Sequence, residues 1–220
     1  MADPGTGPAP LRDRILDAAL AVAEEDAGWY DLRLHLVARR LDLPLATVLD
    51  HFRDADAIAD AWFARALRAM LREPEPGFDA LPPSGRVHAV LMRWFDAQAA
   101  HRRAVGSMIG AKLHPSHPHH WVPMVFSLSR LIHWVLEAAR LDARGLPRQA
   151  EEVGLTLLFL RALRMWLDDR SPGQERTRAF LRRNLGWLDR LPRRPARGRG
   201  GARSSRTKDS SPQTSCARDR

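Results

Sequence analysis

The stretch VARRLDLPLATVLDHF, residues 37–52, constrains the fold more than any other part of the chain. A helical apolar period through Val37, Ala38 and Leu41 stops at Leu41-Asp42-Leu43-Pro44 and restarts immediately. Asp42 tolerates the left-handed backbone conformation several-fold better than most residues, so a tight turn is available there. Pro44 suits the first turn of a new helix running to about His51. Two short helices therefore meet at a sharp corner.

The surrounding sequence is helical, with no convincing period-2 stretch. Leu11, Ile15, Leu16, Ala19, Leu20 and Ala23 share one face of a first helix, which should stop near Gly28. Asp31 can cap a second helix with Leu34, Val37, Ala38 and Leu41 inward. Asp54 caps a fourth, Ile58 to Leu71, ended by the EPEPG segment at residues 73–77. Beyond it lie a helix from about Arg86 to Arg102 with Val87, Val90, Leu91, Trp94 and Phe95 inward, a short one near Val105 to Leu113, and one from Trp121 to Leu141. Pro147 to Asp168 is apolar nearly all round from Val153 on, the mark of a helix covered on several sides. Ser171-Pro172-Gly173-Gln174 has the order of a cap, a first-turn proline and a capping-box Gln, starting a last helix through Leu181, Leu185 and Leu188. The expected class is all-α.

Charge divides the chain unevenly. The 220 residues hold 35 Lys+Arg and 26 Asp+Glu, a net +9. Residues 192–220 alone carry nine basic residues and two acidic ones, or +7. That Arg-, Gly-, Ser- and Pro-rich segment cannot bury enough surface to offset its ordering entropy and is expected to be a disordered tail, solvated or serving as a polyanion-binding arm. Residues 1–72, by contrast, hold nine basic and twelve acidic residues, a net of −3. Cys216, the only cysteine, lies in the tail, so no intrachain disulfide or cysteine-based metal site is expected. The start MADPGTGPAP, expected to be disordered over residues 1–10, lacks the pattern of a signal peptide. Val153 to Leu167 is interrupted by Arg161 and Arg164, so no stable membrane insertion and a cytoplasmic location are expected.

From Leu11 to about Leu71 the sequence resembles the N-terminal domain of TetR/AcrR-type bacterial transcriptional regulators. Val37-Ala38, Thr47, Val48, His51-Phe52 and the run Asp54 to Ile58 carry the likeness, and EEVGLTLLFLRALRMWLDDRSPGQERTRAFLRRNL is similar to the helical effector region of the same family. The resemblance implies a TetR-like architecture: a helix-turn-helix DNA-binding domain over 11–72, a helical effector and dimerisation domain over 84–190, and the tail over 192–220. Where this family usually has a capping Ser and a basic residue, this chain has Pro44 and Leu45. Leu49 replaces a usual Tyr, and Asp42 a common Gly.

The function so implied is a homodimeric, ligand-responsive DNA-binding regulator, most simply a repressor. The recognition helix would present Leu45, Ala46, Thr47, Leu49, Asp50 and His51 to double-stranded DNA, with Arg33, Arg39, Arg40 and Arg53 flanking it. Thr47 can donate to a phosphate or touch a thymine methyl, and His51 can reach a phosphate. Trp94, Phe95, Trp121, Phe126, Trp134 and Phe159 are candidates to line a pocket for a small apolar ligand, or to be plain core. Val153, Leu157, Leu160, Phe180, Leu181 and Leu185 are candidates for a two-fold interface, with Met165 and Trp187 adding apolar surface.

A rival reading rests on a weaker likeness of WLDDRSPGQERTRAFLRRNL to the TetR-like proteins of coenzyme Q biosynthesis, which hold isoprenoid or quinone lipids and bind no DNA. His114, His117, His119 and His120 in HPSHPHHW suit a polar loop better than a metal site, because Pro115 and Pro118 prevent helical ligand spacing and no nearby Cys or carboxylate completes a shell. No nucleotide fingerprint or catalytic constellation is present, so neither an enzyme nor a cofactor is expected.

Overall fold

The structure, a computed structural model, describes residues 9–25, 28–113 and 121–191. The basic segment 192–220, the first eight residues and the histidine-rich stretch 114–120 lie outside the described residues, as do the side chains of residues 121–124. The helices are α1 (Leu11–Glu25), α2 (Leu34–Arg40), α3 (Leu45–His51), α4 (Ala55–Met70), α5 (Pro83–Asp96), α6 (Arg102–Leu113), α7 (Trp121–Ala138), α8 (Leu146–Leu167) and α9 (Glu175–Asn184). Short 3₁₀ turns join several of them, and no strand occurs among the described residues.

In the head, α1 buries Ile15, Leu16, Ala19, Leu20 and Ala23 against α2, α4 and α6. Val37 and Ala38 of α2, Val48 of α3 and Ile58 of α4 complete the packing. The corner after α2 forms as the sequence implies: Asp42 takes φ 54°. Asp54 caps α4, its Oδ1 accepting from the Ala57 N–H at 2.7 Å. Two caps differ from expectation. Pro44 is the residue before α3 rather than its first turn, and Asp31 sits in a 3₁₀ turn, leaving Arg33 at the N-cap of α2 without a side-chain cap.

The C-terminal part is held by an aromatic centre. Val87, Val90, Leu91, Trp94 and Phe95 of α5 are all buried. Trp94 meets Phe95 and Phe159 edge-on, both at 5.2 Å between ring centroids, while Phe95 stacks on Phe159 at 5.9 Å and tilts toward Trp166 at 5.5 Å. Such contacts add to the burial of large apolar rings. α5 is capped from a distance: Asp189 accepts from the Ser84 N–H at 2.9 Å and from its hydroxyl at 2.6 Å.

The junction before α9 corrects the expected capping box. Gly173 and Gln174 adopt left-handed φ values of 59° and 60°, so the last helix begins only at Glu175. Gln174 turns inward, accepting from the Trp166 indole N–H and donating to Asp96 at 2.6 Å. Asp169, fully buried, supplies the cap instead. It accepts from the N–H and hydroxyl of Ser171 and from the N–H and hydroxyl of Thr177, the last two at 2.9 and 2.7 Å. Burial alone would raise the pKa of this carboxyl, but the hydrogen bonds outweigh it and bring it down to about 2. Nearby, Gly154 admits the Trp187 indole so closely that a Cβ there would lie 2.7 Å from the ring.

Candidate nucleic-acid interface

The rotation of α3 is set by what it buries. Val48 and Phe52 point into the head core, and Arg12 ties the C-terminal end of α3 to α1. Its guanidinium donates to the His51 carbonyl at 3.1 Å and lies over the Phe52 ring at 4.3 Å. Sequence reasoning missed Arg12, since nothing local to it signals a partner 39 residues away. With Val48 and Phe52 inward, Leu45, Ala46, Leu49 and Asp50 face solvent, while Thr47 and His51 are half-buried at the sides. Leu45 is 51% exposed and Leu49 59%. Seven residues at 1.5 Å each give a helix of about 10 Å, short enough to enter a major groove about 12 Å wide end-on or along its floor.

Arg33 at the start of α2, Arg39 and Arg40 in its last turn and Arg53 just after α3 are all exposed. Arg40 pairs with Glu25 at 2.6 Å and Arg53 with Asp54 at 3.1 Å. Exposed pairs of this kind are worth about 0–1 kcal/mol, so a phosphate can replace the carboxylate at little cost. Arg33 and Arg39 make no ion pair among the described residues. All ten candidate contact residues lie on α2, on α3 or on the residues next to them in the chain.

The candidate pocket aromatics with described side chains divide between core and surface. Trp94, Phe95 and Phe159 fill the core against one another. Phe126, 65% exposed, and Trp134 point outward from α7, and the side chain of Trp121 lies outside the described residues. Two candidate interface residues also fall elsewhere: Leu181 and Leu185 are buried within the protomer between α9 and its neighbours, and Phe180 is half-buried. They are amphipathic-helix core, which periodicity alone does not separate from an intersubunit seam. Trp187 is likewise occupied, by Gly154. Val153, Leu157 and Leu160 do face outward, so α8 is bare on one side instead of being covered on several.

Head and body meet where α4 packs on α5 and at α6 with the turn before it. The Trp29 N–H donates to Ser107 Oγ at 2.9 Å, and Gly28, at φ 105°, sits beside the same serine. His101 stands edge-on to Trp62 of α4 at 5.3 Å and lies 3.3 Å from a Glu24 oxygen of α1. No group of His, Cys, Asp and Glu able to hold a metal occurs among the described residues, and no helix there is long and apolar enough to cross a membrane.

This is an all-helical protein with a helix-turn-helix at the end of a four-helix head. A TetR transcriptional regulator from Nitrosomonas europaea is similar to it at a TM-score of 0.73 and 38% identity, over 83% of this chain and 99% of that one. A TetR transcriptional regulator from Rhodococcus sp. RHA1 shares the fold at a TM-score of 0.54 and 20% identity, over 83% and 97% of the two chains. No family model and no curated protein matches the sequence. The chain belongs to the TetR family of transcriptional regulators.

Proposed function

We propose that the chain acts in the cytoplasm as a homodimeric repressor that binds DNA through α3 and is released by a small ligand. The observation that carries this reading is α3 itself: it is anchored from behind by Val48, Phe52 and Arg12, turned outward, and accompanied by exposed arginines on α2 and just after α3, although the first 72 residues of the chain sum to −3. Local basic groups at a protruding helix are what phosphate positioning requires, whatever the total. The +7 of residues 192–220 supplies further phosphate attraction without sequence preference.

Dimerisation is assigned to the outer faces of α7 and α8, which pack on each other and expose Val125, Phe126, Trp134, Val153, Leu157 and Leu160. On α8 these residues repeat every three or four positions, the spacing of a helix seam. Release follows if a ligand favours an arrangement of α6 that moves α1 and α4, and so separates the two heads beyond the spacing of successive major grooves. The Trp29–Ser107 hydrogen bond and the Trp62–His101–Glu24 contacts are the mechanical link.

A gel-shift assay with the DNA upstream of the protein's own gene tests the reading. A discrete complex that survives competitor DNA is expected. Absence of any shift at low salt, together with an isoprenoid or quinone lipid extracted from the purified protein, would instead establish the lipid-binding alternative.

A further inference from the structure

The solvent face of α3 is unusual in its chemistry. Leu45, Ala46 and Leu49 form an apolar strip, and the one polar side chain on it is the acceptor Asp50. The core contacts of Val48 and Phe52 fix this face outward, with the half-buried Thr47 and His51 along its edge. Reading guanine requires a donor for its N7 and O6, and reading adenine in two-point fashion requires an amide; the strip has neither. Aliphatic side chains do recognise one feature of the major groove, the C5-methyl of thymine, and a carboxylate accepts from an exocyclic amino group, best from cytosine N4 because adenine N6 stands beside the acceptor N7. Exposed Arg39 and Arg40 end α2 just before the corner and exposed Arg53 follows α3, so basic groups precede and follow the strip and a polyanion is the occupant that fits it.

Resting on the DNA-binding reading above, we propose that this protein reads its half-site through thymine methyl groups packed on Leu45, Ala46 and Leu49, with a cytosine amino group at Asp50. The specificity determinant is therefore a pattern of methyls. Asp50 also excludes: its charge repels phosphates and pairs poorly with the guanine acceptors, so the half-site avoids guanine where the carboxylate lies.

The test begins with selection of duplexes from a random pool by the full-length protein. Each thymine of the enriched site is then replaced by deoxyuridine, which removes the methyl and leaves the pairing edge intact, and affinity is followed by fluorescence anisotropy. About a fourfold loss per contacted methyl is expected. Leu49→Ala, a change at an exposed position, should erase the thymine-over-uracil preference at one step of the site while the other steps keep theirs. Asp50→Asn should shift the cytosine position toward adenine, which an amide can contact at N6 and N7. An enriched site that binds equally well with uracil throughout would overturn the methyl mechanism and leave DNA binding standing. Failure to enrich any sequence would overturn DNA binding itself, and the methyl mechanism with it.

Discussion

Two parts of the surface expose large aliphatic side chains, and they differ in what surrounds them. On α3, Leu45 and Leu49 form a patch one or two turns long, with exposed arginines before and after it in the chain. On α8, Val153, Leu157 and Leu160 continue along a helix of 22 residues, next to Val125, Phe126 and Trp134 on α7. A short apolar strip flanked in the chain by exposed arginines suits a charged partner with methyl groups at its floor. A long strip with helical repeat suits another helix pair of its own kind. Exposure alone does not distinguish the two; length and the charges at the rim do.

The sharpest way to separate the bare face of α8 from the core just behind it is a pair of arginine substitutions. Leu181→Arg places an unpaired charge in a site that is fully buried, and should cost more than about 4 kcal/mol and abolish the cooperative thermal transition seen by circular dichroism. Leu157→Arg, 57% exposed, should leave the helical spectrum intact. Its expected effect is a monomer whose affinity for the operator falls by about 100-fold or more, since two linked heads bind with an effective concentration that one head lacks. If both variants unfold alike, the proposed division between core and interface is wrong.

Asp169 sharpens the same comparison from the inner side, because its hydrogen bonds hold α9 behind α8 and thereby decide which face of α8 remains outside. Its carboxyl is held at about 2 in the folded protein against an ordinary value near 4. A depressed carboxylate pKa contributes stability that is complete above the unfolded value and is lost as pH falls from about 4 through about 2. That contribution is about 2–3 kcal/mol. Asp169→Asn should remove a similar amount at neutral pH and flatten the acid limb of a stability profile measured by urea unfolding.

Much of this was legible in the sequence because it depends on local pattern. The α3 corner follows from Asp42 and the broken period, the α4 cap from Asp54, and the inward face of α5 from its spacing. What was not legible depends on distant partners. Leu181 and Val153 carry the same apolar signal, and only the packing of α9 on α8 and α5 puts one inside and leaves the other outside. Gln174 fits a capping box by position, yet the indole of Trp166 and the carboxylate of Asp96 claim its side chain first. The aromatics scattered between Trp94 and Phe159 carry no sign of whether they surround a ligand or one another.

Arg39→Ala tests the rim of the α3 patch with a smaller effect. Affinity for all duplexes should fall by about 1 kcal/mol, with the preference for the operator unchanged and the dependence of log affinity on log salt flattened by about 0.9. A change in sequence preference would show that Arg39 reads a base and that the apolar strip does not act alone.

The central claim, that paired heads are presented by the bare face of α7 and α8, is tested most directly by light scattering on the unmodified chain at micromolar concentration. The account predicts the mass of a dimer, unchanged by high salt because the contact is apolar, and collapse to a single-chain mass for Leu157→Arg. A single-chain mass for the unmodified protein would contradict it.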